Sequence, residues 1–246
     1  MNTSGDMRNE TANGERPPEM APESLVAWVY ERLVEAYGLP PWEPDGDAIG
    51  GLVATILSQH TSDVNSERAY TSLRQRFPTW EAARDAPEEA LADAIHSGGL
   101  ASVKARSIQR TLRALTERGP AAPFDLRWLD AEDIERARAQ LTTLPGVGMK
   151  TASCVLLFSL GRPAFPVDTH VWRVTRRLGL IGPAVSADAA HRALERLIPP
   201  DWRYTMHINL IRHGRRVCHA QRPACDRCPL RARCAYYWAT RAIDDK

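Results

Sequence analysis

The stretch Leu144-Pro145-Gly146-Val147-Gly148-Met149-Lys150-Thr151 decides how this chain is read, together with Val167-Asp168-Thr169-His170, whose aspartate lies eighteen positions after Lys150. Pro145 fixes one backbone dihedral, and Gly146 and Gly148 allow conformations and close approaches that a side chain would block. The first five residues therefore predict a sharp turn between two helices. Beyond it, Met149 to Phe158 carries apolar residues at helical spacing, which places Lys150 in the first turn of a largely buried helix. A turn of this kind aims glycine and helix-terminal N–H groups outward, where they can hold a phosphate. Lys150 stands beside that anion site, and its amine, when unprotonated, is a nucleophile. The plainer reading is a lysine that contacts phosphate at a helix start. Asp168 precedes Thr169-His170-Val171-Trp172 and reads as a helix N-cap, worth ~1 kcal/mol. A carboxylate fixed in that way is also preorganised to stabilise positive charge or to assist a proton transfer.

A chain of 246 residues has room for one large domain or two modest ones. Its 43% hydrophobic and 25% charged residues are those of an ordinary soluble globular protein. It contains no run of eighteen apolar residues, and its first twenty-odd residues are polar. Neither a membrane span nor a secretory signal is indicated, so a cytoplasmic, reducing location is expected. The net charge of +2 says little, but its distribution says more. From Asp201 onward there are ten Lys/Arg against four Asp/Glu, whereas Met1 to Ser24 carries two against five. A basic excess gathered in one stretch is the footprint of a surface that meets phosphates.

Met1 to Ser24 is polar and reads as a disordered tail. Helices are predicted from a Ser24 cap to Tyr37, over Asp47–Leu57, from near Asn65, over Thr79–Ala86 and Pro87–Ile95, over Lys104–Arg118, over Ala131–Leu141, from the VDTH segment to Gly179, over Ala187–Leu197 and over Tyr204–Gly214. Pro120 to Pro123 breaks the chain. No strand-like alternation competes, so the expected class is all-α with short loops. Near the end, Cys218, Cys225, Cys228 and Cys234 have six, two and five residues between them. In a protein with no export signal, such a cluster points to metal binding, with zinc and an iron–sulfur cluster both compatible with four thiolates. Cys154, on an apolar helix, reads as a core residue.

LPGVG followed by a lysine, with VDTH at this distance, resembles the helix-hairpin-helix and Gly/Pro/Asp signature of DNA glycosylases. From Leu25 to Tyr237 the chain is similar to the endonuclease III family. The resemblance implies a six-helix domain over 41–162 and a cluster domain that joins the N-terminal helix 25–40 to 163–246, with the active site in the cleft between them. It implies that the cysteines hold a 4Fe-4S cluster of structural role, around which Gln221, Arg222 and neighbouring arginines grip the DNA backbone. It implies that Lys150 displaces the damaged base and forms a Schiff base with the deoxyribose, assisted by Asp168, and that elimination then nicks the strand on the 3′ side. Gly146, Val147 and Gly148 are expected to contact DNA, as are Lys104 and Arg222. His60 and Leu100 occupy the two family positions that enter the duplex; His60 departs from the glutamine of bacterial members, and its plainer reading is an ordinary loop histidine. His170 is expected to be structural. The expected partner of the monomeric chain is damaged double-stranded DNA, with oxidised pyrimidines as the lesions removed. A pyrimidine-dimer glycosylase, a mismatch glycosylase and a non-catalytic damage-binding protein are the alternatives.

Overall fold

The computed structural model describes residues 17–42, 47–119 and 124–244. Among them the chain is all-α, with no strand. Residues 1–16 of the expected tail and the expected break at 120–123 lie outside the described residues. The helices are α1 (Pro22–Tyr37), α2 (Ala48–Ser58), α3 (Asp63–Arg76), α4 (Trp80–Asp85), α5 (Glu88–Ala94), α6 (Ala101–Arg118), α7 (Ile134–Thr142), α8 (Met149–Cys154), α9 (Thr169–Leu178), α10 (Ala187–Leu197), α11 (Arg203–Arg216) and α12 (Ala235–Asp244).

Polar caps set six of these twelve starts. Asp47, Ser62, Thr79, Asp133, Asp168 and Ser186 each accept a backbone N–H from three residues further on, and each such cap contributes ~1 kcal/mol. Ser24 is not the first cap. Pro22 opens α1 from its N1 position, where a missing N–H is harmless, so three residues of the expected tail are helical. Pro18, further into the expected tail, is held as well, because Arg233 Nη1 donates to its carbonyl at 2.8 Å. Two more expectations move. The helix expected from Ala131 begins at Ile134, after the Asp133 cap and a 3-10 turn over Arg127–Leu129. The helix after the hairpin is α-helical only to Cys154 and continues as a π turn over Val155–Ser159, closed by a Leu160 N–H to Val155 carbonyl bond of 3.1 Å. Helix α12 lies beyond the last helix expected from the sequence.

The chain divides into two units, one running to Trp42 and resuming at Val167, the other spanning Glu43–Pro166. The second, the hairpin unit, is built on α2. That helix buries Ile49, Leu52, Val53, Ile56 and Leu57 among Leu73, Leu91, Ile108, Leu112, Leu141 and Leu156, each side chain contributing ~1.5–3 kcal/mol by leaving water. The first, the cysteine-bearing unit, packs α1 on α11 and α11 on α9. Val26, Val29 and Leu33 of α1, Val171, Val174 and Leu178 of α9, and Met206 and Leu210 of α11 are among its buried apolar residues. Tyr30 stacks on Trp202 at 4.4 Å. Asn209 Nδ2 donates to the Gly38 carbonyl at 2.9 Å and Arg212 Nη1 to the Tyr37 carbonyl at 3.2 Å. Those bonds satisfy the C-terminal end of α1 and join segments about 170 residues apart in sequence.

Candidate functional site

The hairpin is set by two apolar pegs. Leu144 and Val147 are 3% and 5% exposed, which turns the chain between α7 and α8 and leaves Gly146 and Gly148 on the outside. Gly146 has φ +78°, a backbone that favours glycine, and a Cβ there would also force the Ser107 hydroxyl to turn away. The turn is tied from within through its carbonyls: Thr111 Oγ1 donates to Pro145 at 2.6 Å and Gln59 Nε2 to Gly146 at 3.3 Å. Gln59 also reaches Thr151 Oγ1 at 3.4 Å. The Val147 N–H bonds the Leu144 carbonyl at 3.1 Å, whereas those of Gly146 and Gly148 have no acceptor among the described residues. Val147, expected to contact DNA, is therefore a buried peg with its amide committed, and the outward donors are the two glycines and the first residues of α8. Lys150 is the second residue of α8, half-buried, ahead of the buried run Thr151–Cys154. No described residue of its own unit hydrogen-bonds its amine. Arg138 of α7, 1% exposed, pairs with Glu135 of the same helix at 2.6 Å and donates to Ser153 Oγ at 3.2 Å, the bond that fixes α7 to α8.

Among the described residues, three non-glycine residues have a left-handed backbone: His60 (φ +52°), Leu100 (φ +49°) and Arg222 (φ +46°). All three belong to the set expected to meet DNA, and all three side chains are exposed. Leu100 is 60% exposed and caps the N-terminus of α6, which begins at Ala101 because the chain turns at that residue. A left-handed conformation costs an L-residue about 1–2 kcal/mol, so each position is held against its own preference by the surroundings. Lys104 corrects the expectation that it touches phosphate. It is 3% exposed, and its ammonium donates to the Leu57 carbonyl at 2.6 Å, Thr61 Oγ1 at 2.5 Å and the Gly98 carbonyl at 2.8 Å. Burial pushes its amine below the ordinary lysine value.

In the other unit, Asp168 Oδ1 accepts the Val171 N–H at 2.7 Å, which is the capping contact expected. His170, expected to be structural, packs between α9 and α11. Its Nδ1 lies 3.0 Å from Arg173 Nη2, which also donates to the Gly214 carbonyl at 2.9 Å. A Cβ on Gly214 would lie 2.8 Å from that of His170, so glycine lets α11 approach α9 here. Burial pushes the His170 imidazole below its ordinary value, opposed by Asp168 and assisted by Arg173 and Arg215.

Cys218, Cys225, Cys228 and Cys234 line one cavity, walled by Val174, Leu178, Val217, Leu230 and Tyr236. Burial first, and the neighbouring thiols second, push Cys225, Cys228 and Cys234 upward, Cys228 to about 12. Thiolates gathered in this way need a positive centre among them. No three His, Cys, Asp or Glu side chains among the described residues converge where one ion could be held. The loop is organised from α9. Arg177 Nη1 donates to Cys218 Sγ at 3.3 Å and to the His219 carbonyl at 2.6 Å, its Nη2 donates to the Ala220 carbonyl at 2.9 Å, and Arg173 Nε donates to the Cys218 carbonyl at 3.0 Å. The sequence reading missed these two arginines; their spacing of four places them on one helical face. It also missed Tyr37 and His213. Burial pushes His213 down to about 4, so the ring is neutral. The Tyr37 hydroxyl lies 3.0 Å from Nδ1, and Nε2 lies 3.6 Å from Cys228 Sγ, so the ring bridges α1 and the cysteine loop.

A model of the HhH-GPD superfamily of base excision DNA repair proteins matches residues 53–200. The chain belongs to that superfamily. The HhH-GPD stretch holds the hairpin, Lys150, Asp168, His60, Leu100 and Lys104, while the cysteines follow it. An endonuclease III of Thermotoga maritima is 35% identical over 187 residues, covering 76% of this chain and 82% of that protein. An endonuclease III of Synechocystis is 38% identical over 185 residues, covering 74% and 78%. A longer relative from Arabidopsis thaliana is 37% identical over 69% of this chain, which spans only 57% of its length. A non-covalent endonuclease III–DNA complex matches with a TM-score of 0.74 at 28% identity, covering 91% of this chain and all of its own. A trapped covalent endonuclease III–DNA intermediate matches with the same score at 29% identity, covering 90% and 100%. No described helix is long and apolar enough to cross a membrane.

Proposed function

We propose that this HhH-GPD protein is a bifunctional DNA glycosylase and abasic-site lyase of base excision repair, with Lys150 as nucleophile and Asp168 as its charged assistant. One observation carries the reading: a lysine in the first turn of α8, unpaired within its unit, directly follows a hairpin whose Gly146 and Gly148 amides have no internal acceptor. Those amides suit a backbone phosphate, and a phosphate held there sets a nucleoside sugar near the amine. The unprotonated Nζ attacks C1′, and the bond to the base breaks with its electron pair leaving on the base. Loss of the ring C1′–O4′ bond gives the Schiff base. Removal of a C2′ proton then expels the 3′ phosphate and cuts the strand. Asp168, held in place by its cap, stabilises the positive charge that builds on the opening sugar. Oxidised pyrimidines are the first choice of lesion. Incision of an abasic-site duplex in EDTA, together with base release from a panel of defined lesions, tests the assignment, because this lyase chemistry needs no divalent metal. Binding without incision would reduce the chain to a damage-binding protein.

His60 and Leu100 enter the duplex when the target nucleotide leaves the stack, a step that costs a few kcal/mol for a paired base. His60→Ala is expected to weaken base release from paired lesions more than nicking at preformed abasic sites. Equal losses on both substrates would remove His60 from gap filling.

Four thiols around one apolar-walled cavity fit a 4Fe-4S cluster held by Cys218, Cys225, Cys228 and Cys234. When bound it supplies no electron to base removal or elimination, which transfer none, and it orders the loop that carries Arg222 beside exposed Arg215, Arg216 and Arg227. Cys228→Ser is expected to abolish the brown absorbance of the purified protein and to lower duplex affinity about tenfold or more, the scale set by losing several phosphate contacts. A colourless wild-type protein that contains zinc would overturn this assignment.

A further inference from the structure

Lys104 offers nothing to solvent, yet it touches both loops that carry the left-handed residues His60 and Leu100. Its backbone N–H bonds the Leu100 carbonyl at 2.9 Å. Its ammonium bonds Thr61, the residue after His60, the Gly98 carbonyl two residues before Leu100, and the Leu57 carbonyl at the end of α2. Thr61 Oγ1 closes the arrangement by donating to that same Gly98 carbonyl. Each loop segment thus shares its polar groups with the other through one buried cation, while the side chains it carries, His60 and Leu100, stay exposed. A buried ammonium satisfied by three oxygens is a rigid connector, because removing it leaves those oxygens short of a donor.

We propose that Lys104 is a positioning residue: it latches the 58–62 and 96–100 loops together so that His60 and Leu100 form a preset pair of wedges before DNA arrives. The inference rests on the glycosylase reading, since it assigns the latch to extrusion of the target nucleotide rather than to the chemistry at Lys150. Ordering two strained loops in advance removes that cost from the moment of strand opening.

The test compares wild type, Lys104→Met and Thr61→Val in the full-length protein. Amide hydrogen exchange of the free protein is expected to rise at His60–Ser62 and Ser97–Ala101 in Lys104→Met, with α11 unchanged. Single-turnover base release from a paired lesion is expected to fall about tenfold or more, while nicking at a preformed abasic site changes less than about threefold, because an abasic nucleotide has no base to unstack. Thr61→Val keeps the cation and loses the bridging oxygen, so it is expected to show the same bias with a smaller amplitude. Should Lys104→Met fail to fold, Thr61→Val decides by the same two readouts. Unchanged exchange in both loops, or equal losses on the two substrates, would overturn the latch. A wild-type protein that neither releases a base nor nicks abasic DNA would instead sink the glycosylase reading, and the exchange measurement would still decide whether the loops are held together.

Discussion

Replacing Lys150 with alanine is expected to leave the fold and duplex binding intact while abolishing the borohydride-trapped adduct with abasic-site DNA. The stability part follows from the position. Lys150 is half-buried at the second residue of α8 and holds no polar partner in its own unit, so alanine, the best helix former, changes stability by roughly 0.5 kcal/mol or less. Binding survives because the outward amides of Gly146 and Gly148 belong to the backbone. The trapping part admits no gradation: a Schiff base requires a primary amine at the sugar, and alanine has none. Base release should fall at least about a hundredfold, the scale of losing a positioned nucleophile. A trapped adduct in the variant would assign the nucleophile elsewhere and withdraw the mechanism.

Asp168→Asn separates two roles that one carboxylate holds. Asparagine caps a helix about as well as aspartate, so the bond to the Val171 N–H and the start of α9 should persist with a stability change within about 0.5 kcal/mol. The negative charge does not persist. If that charge stabilises the opening sugar, turnover should drop by roughly 10²–10³-fold with duplex affinity nearly unchanged, as is usual when a positioned electrostatic or proton-transfer group is lost. Asp168→Ala adds the loss of the cap, about 1 kcal/mol, and so shows how much of any defect is structural. Asparagine turnover within about twofold of wild type would confine Asp168 to capping.

How far the sequence could be read depended on whether a residue's role is written in its own neighbourhood. The hairpin was legible because Pro145, Gly146 and Gly148 restrict the backbone locally, and the start of α9 was legible because Asp168 caps within four residues. Helix class and the buried run after Lys150 followed from spacing. Lys104 was misread because it opens a basic helix beside a glycine turn, which looks like a phosphate contact; the three oxygens that hold it come from Leu57, Thr61 and Gly98, and no local pattern reports them. Val147 was misread for a related reason, since only packing shows that it points inward. Strain was invisible in the same way: histidine, leucine and arginine do not announce a left-handed backbone. Resemblance nevertheless pointed to His60, Leu100 and Arg222, and the left-handed backbone at each of them was an independent finding.

The fastening of α1 to α11 orders the life of the nascent chain. The Tyr37 to His213 bond spans 176 positions, whereas residues 43–166 hold their own core without a break in sequence. On the ribosome, that contiguous segment can condense as it emerges, while the amphipathic α1 waits with Val26, Val29 and Leu33 uncovered until α11 has been made. α1 is thus made well before α11, the helix that shelters it, and aggregation during production should be most sensitive to what happens in that interval.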